Sequence, residues 1–275
     1  MEHPAVVKVA NSLGSDAELP DRLSLLLALL YGRLAPTESP MLGTYVQQLP
    51  DRIGSSPLLF TIDELSLLAG TKFVASVRAK LKKLLREYEF LLPAIQAAWD
   101  MTPSLGDYVW SDTVYRSRVF KGPFGGDDVE EQEALIPQMD FCNCTTTEKA
   151  DLRWFLDADL NALFIANHPL KYIDFCANYT GLTRLIPRIG EVLTSYGDHS
   201  NEELLFQYGF VLEANPRDVA WLILPLAGDD PLAEHKIMLL QMWSCGPQIK
   251  VGANGVDPAS FRAASALLYD FMFLC

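Results

Sequence analysis

Apolar residues recur at three- and four-residue steps through "FVASVRAKLKKLLREYEFLLPAIQAAW", residues 73–99. Val77, Leu81, Leu84, Leu85, Tyr88 and Leu92 carry the repeat, which is the spacing of one face of an α-helix. Arg78, Lys80, Lys82, Lys83 and Arg86 fill the remaining surface and predict a solvated basic face, with a docking surface as the alternative reading. "PDRLSLLLALLYGRL" is apolar all round and predicts a buried helix. "YVQQLP" predicts a short helix ending near Pro50. Thr61 and Glu64 have capping-box spacing, with Gly70 as the stop; Ser200 and Glu203 repeat it, with Gly209 as the stop. "PLAEHKIMLLQMW" and "DPASFRAASALLYDFMF" predict two further helices, and "VAWLILPL" a buried strand.

Other stretches carry weaker patterns. "YVWSDTVYRSRVF" suits helix or strand, and "ADLRWFLDADLNALFI" a strand pair or a helix. "RLIPRIGEVLTSYG" reads as a turn followed by a strand. "KGPFGGDDVEEQEA" reads as a Gly- and acid-rich loop, and "ANHPLKYIDFCANYTG" as an irregular one. Residues 1–19 read as a short, poorly ordered tail. Helices, then short Gly-punctuated strands, then helices predict an α+β fold rather than a doubly wound sheet. The chain contains no internal repeat and no phosphate loop of the GxGxxG or GxxxxGK[ST] type.

Composition narrows the function classes. The chain has 275 residues, 49% hydrophobic and 21% charged, with a net charge of -13. That charge argues against a nucleic-acid partner, which needs clustered cations. The longest apolar run, Leu23–Leu30, falls far short of the roughly 20 residues of a membrane span, and no signal peptide is visible. The expectation is a protein of the cytoplasm or nucleus with no membrane partner. The five cysteines are an odd number and predict free thiols. Cys142 and Cys144 make a single CxC without the second ligand pair of a tetrahedral metal site, so no metal is expected. His3, His168, His199 and His235 share no motif.

Four pieces taken in order carry more. They are "SRVF" at 117–120, "LIPQMDFCN" at 135–143, "GEVLTSYG" at 190–197 and "SNEELLFQYGFVLEANPRD" at 200–218. Together they resemble the SET-domain methyltransferases of the RuBisCO large-subunit methyltransferase class, over about residues 20–275. The resemblance implies a pseudoknotted β core with a helical insert and a truncated C-terminal helical region. It divides the chain into a tail (1–19), the insert (20–107), the SET core (108–226) and the start of a substrate-binding region (227–275).

The resemblance also implies S-adenosylmethionine as cofactor and a protein lysine, non-histone rather than histone, as methyl acceptor. It makes Tyr196 catalytic and a cofactor contact. Asn143 and the backbone of Cys144 join it at the cofactor, and Tyr208, Asp140 and Arg118 contact substrate. Three departures accompany it, one being that the family's C-terminal helical domain reads as cut short at Cys275 and "FIANHPLKYIDFCANYTG" as an unusual insertion. Cys144 stands where the family has histidine, and no glycine-rich hairpin precedes Asp21, so the chain reads as beginning inside the domain. The other reading they leave open is a SET-like protein without methyl transfer, acting as a binding scaffold or recruited to other small-molecule chemistry.

Overall fold

In a computed structural model the described residues are 3–14, 19–124, 131–157, 159–167, 191–224, 226, 229–244, 246–252, 255–258 and 260–267. The helices are α1 (Pro4–Leu13), α2 (Asp21–Leu34), α3 (Pro40–Gln47), α4 (Ile62–Ser66), α5 (Phe73–Trp99), α6 (Leu105–Arg118), α7 (Asn201–Tyr208), α8 (Ala233–Met242) and α9 (Ser260–Leu267). The strands are β1 (Val119–Gly122), β2 (Gln132–Leu135), β3 (Asn143–Cys144), β4 (Leu152–Leu156), β5 (Ala162–Ala166), β6 (Leu193–Thr194), β7 (Val219–Ile223), β8 (Gln248–Gly252) and β9 (Gly255–Val256). The α+β class follows directly. The chain forms two compact units, Met1–Asp51 with Leu92–Asp198, and Arg52–Leu91 with His199–Cys275.

In the first unit α2 is buried along Leu26, Leu27, Leu29 and Leu30, as its all-round apolar pattern predicts. It packs on α6, and the undecided "YVWSDTVYRSRVF" resolves into that helix followed by β1. Ser104 and Asp107 start α6 with a reciprocal capping box, and Tyr108 through Arg116 are all buried. Inside the helix pair Asp112 is fully enclosed. It accepts from Arg22 at 2.8 Å and from Arg116 at 3.0 Å.

Residues 4–13 correct the expected tail. Pro4 supplies the first helical turn, and the His3 ring accepts a hydrogen bond from the Ala5 amide. Val6 and Val9 are fully buried, and Trp99 donates to the Ala5 carbonyl at 2.8 Å. Val6, Val9, Ala10 and Leu13 keep the three- and four-residue spacing of a helix face, so a short periodic signal is present in the sequence.

β1 and β2 pair antiparallel, so both ends of the expected acid-rich loop are strand; its middle lies outside the described residues. "ADLRWFLDADLNALFI" is the β4–β5 hairpin. The four-stranded sheet has the order β3-β6-β4-β5, and β6 is parallel to both its neighbours. Most of the irregular stretch before β6, with His168, Cys176 and Gly190, lies outside the described residues.

In the second unit the capping boxes at Thr61–Glu64 and Ser200–Glu203 form as their spacing predicts. The part of α5 up to Leu91 belongs here. β7, β8 and β9 make an antiparallel meander. Two expectations change. β7 is not buried, since the consecutive residues Leu222 and Ile223, which point to opposite faces of the strand, are both exposed. Residues 248–252 and 255–256, which carried no assigned element, form the paired strands β8 and β9. The end of "DPASFRAASALLYDFMF", Cys245 and Cys275 lie outside the described residues.

Gly209 closes α7 in the left-handed region, φ +82°. A Cβ there would stand 3.0 Å from the Ser55 carbonyl oxygen and 2.8 Å from its hydroxyl. Gly209→Ala therefore meets both conformational strain and backbone contact. It is expected to cost roughly 2 kcal/mol or more, read as a lower urea midpoint with unchanged slope. An unchanged midpoint would contradict this packing.

Candidate functional site

The first unit brings most of the motif residues to one place. The 3₁₀ turn Met139–Phe141 delivers the chain to β3, and the Asp140 side chain is enclosed beneath it. Tyr45, on α3, donates to Asp140 Oδ2 at 2.6 Å. Arg118, at the end of α6, donates to the same oxygen at 3.1 Å and to the Asp140 carbonyl at 2.9 Å. Burial, then the bond to Asp140, drives the Tyr45 hydroxyl far above its ordinary range, so it stays a donor. Asp140 Oδ1 has no hydrogen-bond partner among the described residues. The Arg118 guanidinium lies 5.7 Å from the centre of the half-exposed Phe141 ring. Arg118 and Asp140 thus form a brace under β3.

Asn143 and Cys144 pair with Leu193 and Thr194 of β6, and the Thr145 amide donates to the Thr194 carbonyl at 2.9 Å. Two residues on, the Tyr196 hydroxyl donates to the Cys142 carbonyl at 2.7 Å. The exposed Asn143 amide donates to the Glu191 carboxylate. Segments some fifty residues apart are tied here by both backbone and side chain. Beside them a hollow of ≈ 530 Å³ is lined by Thr147, Arg153, Trp154, Asn167 and Ser195.

Neither thiol is poised for attack. Burial, then the Asp140 charge, pushes the Cys142 thiol above its usual range. Burial pushes Cys144 up, partly offset by a hydrogen bond with the Tyr196 backbone. A thiol held protonated is a weak nucleophile. The arrangement offers a fixed hydroxyl, an amide and carbonyl oxygens, which suit alignment of a bound group.

Tyr208 belongs to the second unit. Its ring lies 6.1 Å from His199 and 6.0 Å from Phe210, and its hydroxyl accepts from Gln207 at 3.3 Å. The Ser-Asn and Asn-Pro pieces of the motif meet next to it. Asn201 donates to the Leu212 carbonyl and accepts from the Leu212 amide, both at 3.0 Å. Asn215 donates to Asn201 at 3.1 Å and to the His199 carbonyl at 2.8 Å. These amides fasten the loop after α7.

Sequence reasoning missed Tyr45 and Glu191 as site residues. "YVQQLP" contains Tyr45, but nothing local announces a partner 95 positions away.

Among curated proteins the chain is similar to the ribosomal lysine N-methyltransferase set10 of Schizosaccharomyces pombe. Identity is 26% over 202 residues, covering 72% of this chain and 33% of that protein. Among solved structures it is similar to the SET domain of LSMT bound to lysine and AdoHcy, with a TM-score of 0.65 and 17% identity. That match covers 96% of this chain and 57% of that one. It is also similar to Rubisco LSMT bound to AdoMet, with a TM-score of 0.61 and 19% identity over 92% of this chain and 55% of that one. No protein-family model matches. The chain spans a third of the length of the curated relative and somewhat over half that of the solved ones. Among the described residues no helix is long and apolar enough to cross a membrane.

Proposed function

We propose that this chain, whose fold is that of the SET domain, takes part in S-adenosylmethionine-dependent methylation of a protein lysine side chain. The observation that carries the proposal is the join of β3 to β6. It sets Tyr196 against the Asn143–Cys144 segment through the Cys142 carbonyl. The set10 and LSMT relatives support it, as do the ligands named with the LSMT structures.

The residues present fit such a cofactor in kind. Asn143 and Phe141 are exposed at the start of β3 and offer an amide and an aromatic face. The two neighbouring thiols are held protonated and so do not compete for an electrophilic methyl. The cofactor, when bound, supplies that methyl on a sulfonium. Asn143 and the Cys144 backbone would hold it, and here the backbone contact makes Cys in place of His acceptable. Tyr196, its ring fixed by Cys142, would orient a neutral acceptor amine. Tyr208 is assigned to substrate contact, and Arg118 with Asp140 to the cofactor and substrate walls.

In this reading residues 20–107 supply the helical insert, 108–226 the SET core and 227–275 the beginning of the substrate-binding region. A non-histone protein is the expected acceptor, in the cytoplasm or nucleus, without nucleic acid or membrane.

Calorimetric titration with S-adenosylmethionine tests the proposal. Saturable binding is expected, weakened roughly tenfold or more in Asn143→Ala, the loss of one well-placed charged or polar contact. Absence of binding by the unaltered chain at millimolar cofactor would leave the scaffold reading in its place.

A further inference from the structure

The basic face of α5 accounts for charge that the proposed methyl-transfer site does not use. In a chain of net charge -13, Arg78, Lys82, Lys83 and Arg86 are all exposed along this helix. No ion pair holds any of these four among the described residues, although acidic side chains outnumber basic ones, 35 to 22. Unpaired like charges four residues apart repel, which destabilises a helix slightly unless something else uses them. The same face holds an apolar element. Ala79, Lys82, Lys83, Arg86, Glu87 and Phe90 line a shallow hollow of ≈ 520 Å³, three cations against one carboxylate. Phe90 is 68% exposed, so a large aromatic stands open to solvent at the end of a row of cations.

We infer that this face is a docking surface for an acidic segment of a partner polypeptide that carries an apolar anchor. The cations would meet the partner's carboxylates, and Phe90 with the aliphatic stems of Lys82 and Lys83 would cover the anchor. Charge complementarity selects an acidic partner. The overall negative charge disfavours a long polyphosphate, and the exposed Phe90 beside the cations favours a segment with an apolar side chain over an RNA of equal charge. The assignment does not depend on methyl transfer.

Fluorescence anisotropy with three probes tests it on the full chain. The probes are a short labelled poly-glutamate peptide with one central leucine, the same peptide without the leucine, and a single-stranded RNA of equal charge. The leucine peptide is expected to bind saturably and to weaken as sodium chloride rises, since such contacts are screened over about 10 Å at 0.1 M salt. K82A/K83A/R86A should weaken it roughly tenfold or more. The charge-preserving K82R/K83R should bind like the unaltered chain. Phe90→Ser should weaken the leucine peptide and leave the leucine-free one unchanged. These side chains are exposed, so the melting temperature should not move in any of the variants. Failure of the leucine peptide to bind, unaltered affinity in the triple alanine variant, or tighter binding of the RNA than of the peptide would each overturn the inference.

Discussion

Asp112→Ala is expected to be among the most damaging single changes to stability in this chain, costing about 3–5 kcal/mol, the range for removing one partner of a buried ion pair. Asp112 is fully enclosed between α2 and α6 and faces two guanidinium groups. Burial already pulls the Arg116 guanidinium below its ordinary range, and Asp112 supplies the opposing attraction. Truncation removes that attraction and leaves the burial. Arg22 keeps some access to water, with a fifth of its side chain exposed, so Arg116 bears more of the cost. Urea unfolding followed by circular dichroism measures the loss. A joint replacement, D112L/R116M, should recover most of it, because apolar side chains of similar volume avoid the desolvation of both charges. Equal stability of Asp112→Ala and the unaltered chain would mean that the arginines find other partners.

Tyr196→Phe is expected to lower methyl transfer by about 10²–10³-fold, the effect of removing one well-placed hydrogen-bonding group at a reacting centre. The hydroxyl does two things in this structure. It ties the β6 end to the Cys142 carbonyl, and in the proposed reaction its oxygen would accept from an incoming amine. Phenylalanine fills the ring position and deletes both. The stability loss should be small, about 1 kcal/mol, because a single neutral hydrogen bond is worth no more. Cofactor affinity measured by calorimetry should change little, which separates orientation of the acceptor from binding of the cofactor. Tritiated methyl incorporation into protein fractions, with amino-acid analysis for methyllysine, reads the rate. Retained incorporation would remove Tyr196 from the catalytic role.

Parts of the fold were open to the sequence because they are local. The capping boxes at Thr61 and Ser200, the long periodic helix α5 and the glycine stop at Gly209 each depend on residues within a turn or two of one another. α1 was legible as well, since Val6, Val9, Ala10 and Leu13 keep helical spacing, but its ten residues run into Gly14 and the polar stretch after it, and the whole reads as a tail. β7 looked buried because a run of apolar residues does not say how many faces are packed. The site was legible in a different way. The motif pieces placed Asp140, Asn143 and Tyr196 in order, but not the means of holding them. The Tyr45–Asp140–Arg118 brace joins three segments distant in the chain, and no window of residues contains that information.

The place of β6 between β3 and β4 has a kinetic consequence. During synthesis the chain exposes β3 and β4 long before residue 193 exists, and neither can pair with the strand that will separate them. Closing that long loop costs entropy before any strand contact repays it. The late strand also brings Tyr196 to the Cys142 carbonyl. Assembly of the candidate site is thus coupled to a long-range pairing step of folding. A partly made chain holds two open strand edges in the meantime and must avoid pairing them with a neighbour.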